Sequence, residues 1–572
     1  MVRWILTTLI ALALVVSTAG NVSAARTREA FDKLTGEILE ALQSYYPVQA
    51  TEKGIHSYDH RLADFSPGAV KQMRNKLIGF SEKLYQYRNF DFDTATAIDF
   101  KLIRSNVETA LLDLREIKWQ EKSPQLYVDE AVNGVYFLLL SQHAPLSEKL
   151  VSIISRMKAV PELFQTARQN LKHPPNVYLD LAGESLESAQ VFYQDVAGEL
   201  MRQFPDRADE ILQVSTQARE AMNDFASYLS GLEAGPDTAI AIGKVNFDYM
   251  LAHTHFLNFD SDSLLRMGES LLANAQEEYT EYQKYVDENR QTGRDSVFVP
   301  TSFCKKDVLD YYQWETTQLR VFLTENDIMS VPLDIAPIEV VETPTFLKTM
   351  IAGPAYQGAG PFDRVQRGIF YVRPIPDTLD PEQRDAWYRY VYRRGFKGTA
   401  VHEAYPGHHL QMQMAGRNPS AVRRWQSNPM MVEGWALYCE ELMYQAGLYG
   451  DEDPAMWLAI LGGIRYRAAR IVADVKLQTG QFTYDQCVAW MIQTLQAESE
   501  SDKEYHRKII RKYTLTPTNW MAYLVGKIEI ERLRDDVMNR DGDEFDERAF
   551  YDQLLSLGSI PPALAREAFG LK

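Results

Sequence analysis

The spacing of apolar positions predicts a chain built almost entirely of helices. Phe100, Ile103, Val107, Ala110 and Leu114 recur at intervals of three and four after Asp93-Thr94, a pair suited to capping a helix start. A second helix opens at Ser147 and carries Leu150, Ile153, Ile154 and Met157; Pro161 is expected to interrupt or kink it. Ile211, Ala218, Met222, Phe225 and Leu229 form a third stripe. Such stripes pack cores far more often than they bind ligands, and they are read as core. The composition changes between Leu232 and Ile242, around Gly235-Pro236-Asp237. The expected boundary therefore separates an N-terminal helical subdomain, 25–235, from a C-terminal subdomain, 236–572. Helical patterning resumes at Asp262 and runs to about Asn289, followed by a polar loop to Pro300.

Eight of the 25 prolines fall between Pro332 and Pro381, so that region cannot be one long helix. Within it Gly368-Ile-Phe-Tyr-Val-Arg373 suits a strand. One more helix, Pro381–Arg394, precedes the next motif. An edge strand there could accept an extended peptide as an added strand, and a structural hairpin is the equal alternative. Further helices are expected at Met430–Tyr444, Met456–Gln478, Thr483–Glu498 and Tyr505–Asn539, with a tail of loop and two short helices from Asp541. The fold class expected is mostly α, a large helical assembly with a small β-sheet.

The 572 residues are 45% hydrophobic and 24% charged, ordinary globular composition with ample material for a core. A net charge of −18 argues against nucleic acid as a partner, because phosphate binding needs a basic face. Residues 1–24 have the pattern of a secretory signal: Arg3, an apolar run Trp4–Ala19, and Val22-Ser23-Ala24 as a small-residue cleavage site. The expectation is an exported protein, periplasmic or extracellular, with no stable membrane insertion after cleavage near Ala24. No cysteine sits at the cleavage site, so a lipid anchor is not expected. Cys304, Cys439 and Cys487 are too few for a disulfide scaffold and are read as buried thiols.

The chemistry concentrates in His402-Glu-Ala-Tyr-Pro-Gly-His-His409, which holds three of the ten histidines. A His-Glu pair on a helix can supply a metal ligand and, on the next residue, a general base. The usual second histidine comes four residues later, but Pro406 stands there. In an unbroken helix His409 would share the face of His402 but lie roughly 10 Å further along the axis, too far for one ion. Pro406-Gly407 can loop the chain out, which lets His408 take the place at spacing four. His408 is therefore favoured over His409 as second ligand, and the choice stays open here. A catalytic zinc wants a third protein ligand and one open position. Glu433, at the start of a later apolar helix, is the candidate, and Glu440 or Glu441 could orient a ligand histidine from behind. Glu403 is the natural base.

With these residues in view, the sequence resembles a bacterial domain-of-unknown-function family, numbered 885, grouped with the gluzincin-like metallopeptidases. The likeness covers nearly the whole mature chain. It includes Gly54-Ile-His-Ser-Tyr-Asp-His-Arg-Leu62, Ala355-Tyr-Gln-Gly-Ala-Gly-Pro-Phe362, Phe370-Tyr371-Val372, His402–His409, Glu433-Gly-Trp-Ala-Leu-Tyr438 and Arg467-Ala-Ala-Arg-Ile-Val-Ala-Asp474. The resemblance implies a helical fold with a deep cleft, similar to thimet-type oligopeptidases and angiotensin-converting enzyme, and supports Glu433 as the glutamate ligand. Two segments depart from the family pattern. Asp474-Val-Lys-Leu-Gln478 lacks a glycine and a histidine, and Pro517-Thr-Asn-Trp520 replaces a Pro-Gly-Gln-Ala run. Tyr523 remains, and its hydroxyl could stabilise an oxyanion. Arg467 and Arg470 could meet a substrate carboxylate or pair with Asp474. His56 and His60 receive no chemistry.

The sequence thus leads to an expected exported peptidase of short peptides. One Zn2+ would be held by His402, His408 and Glu433, with Glu403 as base and Tyr523 as oxyanion donor. The alternatives are a zinc hydrolase of a non-peptide amide or ester, and a zinc-retaining binding protein without catalysis.

Overall fold

Burial follows the apolar stripes. The computed structural model describes residues 27–288, 305–344, 347, 355–372, 379–384, 394–450 and 454–571. The proposed signal at 1–24, Cys304, the loop 289–300, Arg373 and most of the Pro381–Arg394 helix lie outside these residues.

Helices dominate throughout. The first half contains α1 (Pro67–Tyr85), α2 (Thr94–Leu112), α3 (Gln125–Leu140), α4 (Leu146–Asn170), α5 (Asn176–Gln203) and α6 (Ala208–Ser230). Asp93 caps α2 by accepting from the Thr96 amide at 2.9 Å, as its position before the stripe predicts. Phe100, Ile103, Val107 and Ala110 are buried along it, and Leu114 follows in the next turn. All five residues of the third stripe are buried on α6. Pro161 does not interrupt α4, which runs unbroken for 25 residues. Burial of Val160, Leu163 and Phe164 on either side holds the helix across the missing amide donor.

In the second half follow α7 (Ser261–Glu288), α8 (Lys305–Glu325), α9 (Arg394–Glu403), α10 (His408–Gly416), α11 (Pro429–Gln445), α12 (Pro454–Gln478), α13 (Tyr484–Leu495), α14 (Glu500–Leu515) and α15 (Ala522–Asp541). The expected single helix from Tyr505 to Asn539 is two. The break at 516–521 contains Pro517, and buried Asp474 accepts from the amides of Thr518 at 3.4 Å and Met521 at 3.2 Å.

A three-stranded sheet lies between α8 and α9 in the chain: β1 (Glu339–Glu342), β2 (Ala355–Gln357) and β3 (Ile369–Val372). The order is β1-β3-β2, with β3 parallel to β1 and antiparallel to β2. The Gly368–Arg373 run is therefore central and cannot serve as an accepting edge. Its continuous apolar character, with Phe370, Tyr371 and Val372 buried, fits a strand paired on both sides.

Three features of the packing matter for the site. One core unites Phe31, Ile38, Leu77 and Ile103 from the start of the chain with Val401, Leu410, Trp435, Leu533 and Leu554. A second unites α3 to α6 with Tyr371 of the sheet. In addition, α11 and α15 touch at Gly434 and Gly526. A Cβ on Gly434 would lie 2.6 Å from Gly526 Cα, and one on Gly526 would overlap the Met430 carbonyl oxygen. Only glycine permits this approach. Among the described residues no helix is long and apolar enough to cross a membrane. Cys439 and Cys487 are buried free thiols.

Candidate metal centre

α9 ends at Glu403 because Pro406 cannot continue it and Gly407 must pass close to the preceding turn. The Gly407 amide donates to Val401 O at 3.0 Å, and a Cβ on Gly407 would overlap the His402 carbonyl. The Tyr405–Pro406 peptide is cis. The buried Trp435 indole donates to Pro406 O at 2.9 Å, which ties this loop to α11. α10 then restarts at His408. His402, near the end of one helix, and His408, at the start of the next, meet edge to face with ring centroids 4.8 Å apart.

Glu433, in the first turns of α11, completes the group. Its Oε2 lies 3.7 Å from His402 Nε2 and 3.6 Å from His408 Nε2. Glu403 also borders the pair, with a carboxylate oxygen within 4.8 Å of ligand atoms of both histidines. His409 is elsewhere. It is fully buried, with Nδ1 against the Tyr356 hydroxyl at 3.1 Å and Nε2 against Ala336 O at 3.2 Å. Burial pushes its pKa down to about 4. His409 is thus a packing residue between α10 and the sheet, and only His408 shares the space in front of His402.

His402 Nδ1 donates to Glu440 Oε1 at 2.8 Å, which leaves Nε2 as the atom facing Glu433. Glu440 also accepts from Arg467 Nη2 at 3.4 Å. Its neighbour Glu441 turns away to Lys527 at 2.9 Å. Burial works against a charged His402, but Glu433 and Glu440 outweigh it and push its pKa up to about 9. Burial likewise opposes the Glu433 charge, and the two imidazoles hold that carboxyl well below the usual range. A carboxylate-rich pocket of this kind calls for positive charge.

The arrangement fits zinc by a geometric test. Ligand atoms at 2.0–2.1 Å around a tetrahedral ion stand about 3.3–3.4 Å apart. The two distances to Glu433 Oε2, 3.7 and 3.6 Å, are close to that spacing and too long for direct hydrogen bonds. His408 Nδ1 is buried without a hydrogen-bond partner.

Tyr523 is on the first turn of α15, placed by the Gly434–Gly526 crossing, and its hydroxyl interacts with Glu433 and Arg470. Burial, with the Glu433 charge, pushes its pKa up to about 12, so the phenol keeps its proton at neutral pH. The five expected site residues, His402, Glu403, His408, Glu433 and Tyr523, are therefore brought to one place. Of the two segments that depart from the resembled pattern, Gln478 is buried and Trp520 half-buried, and both pack on Tyr513. Gln478 donates to Tyr513 O at 2.7 Å, and the Trp520 ring meets that of Tyr513 at a tilt, with centroids 4.1 Å apart.

Residues 47–569 match the signature of the bacterial proteins of unknown function called DUF885. The chain belongs to this family. No curated protein matches it. Two solved structures share the DUF885 chain's fold over nearly all of its length, and at these identities the likeness establishes the fold alone. One is a "putative lipoprotein of unknown function" from Shewanella oneidensis, 22% identical with a TM-score of 0.74 over 94% of this chain and 99% of that one. The other, a "putative lipoprotein" from Colwellia psychrerythraea, is 19% identical with a TM-score of 0.72 over 94% and 98%. The DUF885 chain itself has no cysteine before Cys304.

Three arrangements were not evident in the sequence. Arg467 pairs with Glu440, a partner outside the two alternatives the sequence offered, and Asp474 accepts from the amides of the 516–521 turn. His56 bridges Asp59 at 2.9 Å and Asp363 at 2.8 Å and stacks on His143, with ring centroids 3.4 Å apart. Buried His255 meets the Thr518 hydroxyl at 2.9 Å. The tight Gly54-Ile-His and Gly-Pro-Phe362 motifs were the available signals for the second, since Gly54 leaves room for Asp363 and Gly360 leaves room for the backbone of Lys53 and Gly54.

Proposed function

We propose that this chain is an exported zinc hydrolase of short peptides, related in mechanism to the gluzincin peptidases. The observation that carries the proposal is the single carboxylate oxygen of Glu433 facing the Nε2 atoms of both His402 and His408. With Glu433 these histidines would hold the ion, and Glu440 would keep the His402 ring oriented. A bound zinc would supply Lewis acidity toward a water and a carbonyl oxygen. Glu403 borders the same space, takes a proton from the attacking water and returns it to the leaving amine as the C–N bond breaks. The protonated Tyr523 hydroxyl beside Glu433 donates to the oxygen on which negative charge develops. A cleft of about 430 Å³ opens directly on His402 and Glu403, a size suited to a peptide end.

The deciding experiment is elemental analysis of the purified mature protein, wild type beside His402→Ala, His408→Ala, His409→Ala and Glu433→Ala, followed by turnover of a mixed peptide library. About one zinc per chain, retained in His409→Ala and lost in the other three, supports the ligand set. Absence of metal even after zinc is supplied would sink the hydrolase reading. Glu403→Gln should keep the metal and lose activity by 100-fold or more, on the order of a lost general base. Bound zinc without peptide turnover would point to a binding protein or to another amide or ester as substrate.

A further inference from the structure

The cleft in front of His402 and Glu403 has a second wall, contributed by α12. On it Met456, Ala459 and Ile460 present an apolar surface, and Arg467 faces the same space. The electrostatics of this wall are unbalanced. Arg467 and Arg470 lie three residues apart on one helix, and Glu440 is the carboxylate between Arg467 and His402. Glu440 is already shared, at 2.8 Å from His402 Nδ1 and 3.4 Å from Arg467 Nη2. Asp474 is turned to the 516–521 turn. Arg467 Nε, and Nε and Nη2 of the buried Arg470, have no hydrogen-bond partner. A Cβ on Gly463 would come within 2.9 Å of Arg467 Nη1, so the guanidinium occupies room that a glycine leaves. Arg470 is flanked by aromatic rings, 4.2 Å from those of Trp520 and Tyr523, and so backs this wall without filling it. Buried guanidinium donors without partners are costly, and a planar fork suits a carboxylate.

We propose, resting on the peptidase reading above, that Arg467 binds the free α-carboxylate of a peptide substrate. The apolar surface of Met456, Ala459 and Ile460 then receives the last side chain. The enzyme would thus trim short peptides from the C-terminus. Water adds across the last peptide bond: the C–N bond breaks, the shortened peptide keeps a new carboxylate, and a free amino acid leaves with the proton on its amine.

The test uses the zinc-loaded mature protein and one short peptide with an apolar last residue in three forms: unmodified, C-terminally amidated and N-terminally acetylated. The inference expects single amino-acid release from the unmodified and acetylated forms. The amide should fall by on the order of 10- to 100-fold in kcat/KM, the range for a charge-assisted hydrogen bond. Arg467→Met should collapse that acid-to-amide ratio toward one. A merely structural arginine would slow both substrates alike and leave the ratio standing. Because the wild-type ratio needs no variant, a misfolded Arg467→Met does not blunt the test. Equal turnover of acid and amide, or cleavage at internal bonds, overturns the inference and leaves the peptidase reading intact. No turnover of any form by zinc-loaded protein overturns both.

Discussion

Gly434→Ala tests whether the α11–α15 crossing sets the position of Glu433, the proposed metal ligand beside it. The added methyl would stand 2.6 Å from Gly526 Cα, against about 3.5 Å for carbons in contact, so the helices must part by roughly 0.9 Å. Neither side can yield by a rotamer change, since both partners are backbone. Overpacking of this kind costs about 1–3 kcal/mol in stability. Glu433 is the adjacent residue, and its Oε2 stands 3.6–3.7 Å from the two Nε2 atoms. A displacement of that size exceeds the tolerance of a metal site, about 0.5 Å. Zinc affinity should therefore fall by at least 10-fold, the lower end of what disturbed supporting contacts produce. Competition titration with a zinc chelator measures it, with circular dichroism on the same sample to establish that the protein remains folded. Folded Gly434→Ala with wild-type zinc affinity would refute the link between crossing and ligand.

Other substitutions probe the surroundings of the centre. Glu440→Gln removes the charged acceptor of His402 Nδ1 and should weaken zinc binding by about 10- to 100-fold, read by the same titration; unchanged affinity would show that the ring needs no such support. His409→Ala should retain metal but lose about 1–3 kcal/mol in urea unfolding, because the fully buried ring is removed and the partly buried Ala336 carbonyl loses its partner. Loss of zinc from folded His409→Ala contradicts its placement in the sheet interface. Burial opposes the charge of His56, yet Asp363 and Asp59 push its pKa up to about 9, above the 6.5 of a free histidine. Its contribution is therefore complete below pH 6.5 and disappears as pH rises through about 9. Discounted for a half-buried site, the wild-type advantage over His56→Gln should shrink by about 1–2 kcal/mol between pH 6 and pH 10 in urea unfolding. A constant difference would show that the ring stays neutral.

Local patterns carried the helices. The Phe100–Leu114 stripe, the Asp93 cap and the Thr483 capping box are interactions within a few residues, and each is visible as spacing or as a residue type. The preference for His408 over His409 also rested on local covalent geometry, the inability of Pro406 and Gly407 to extend α9. What escaped the pattern was pairing at long range. The strand at Ile369–Val372 could be read equally as a free edge or as part of a hairpin, because nothing in its own residues records that Glu339–Glu342 lies on one side and Ala355–Gln357 on the other. The pairing of Arg467 with Glu440 was hidden for a related reason: Asp474 lies closer in sequence, and nothing local records that Glu440 is the carboxylate in contact. The split of Tyr505–Asn539 was legible in principle from Pro517, whose weight the apolar periodicity around it concealed.

The core that joins the first helices to the last has a kinetic consequence. Lys101 pairs with Glu567, 466 residues away, at 2.5 Å, and Phe31 and Leu564 belong to the same apolar cluster as Val401 beside His402. A nascent chain cannot complete that cluster until nearly all of its residues have been delivered, and ordering such distant segments is slow. The histidine pair would thus be assembled late, after the ends of the chain have found each other. The proposed hydrolytic centre would then stay incomplete for as long as the chain is being made.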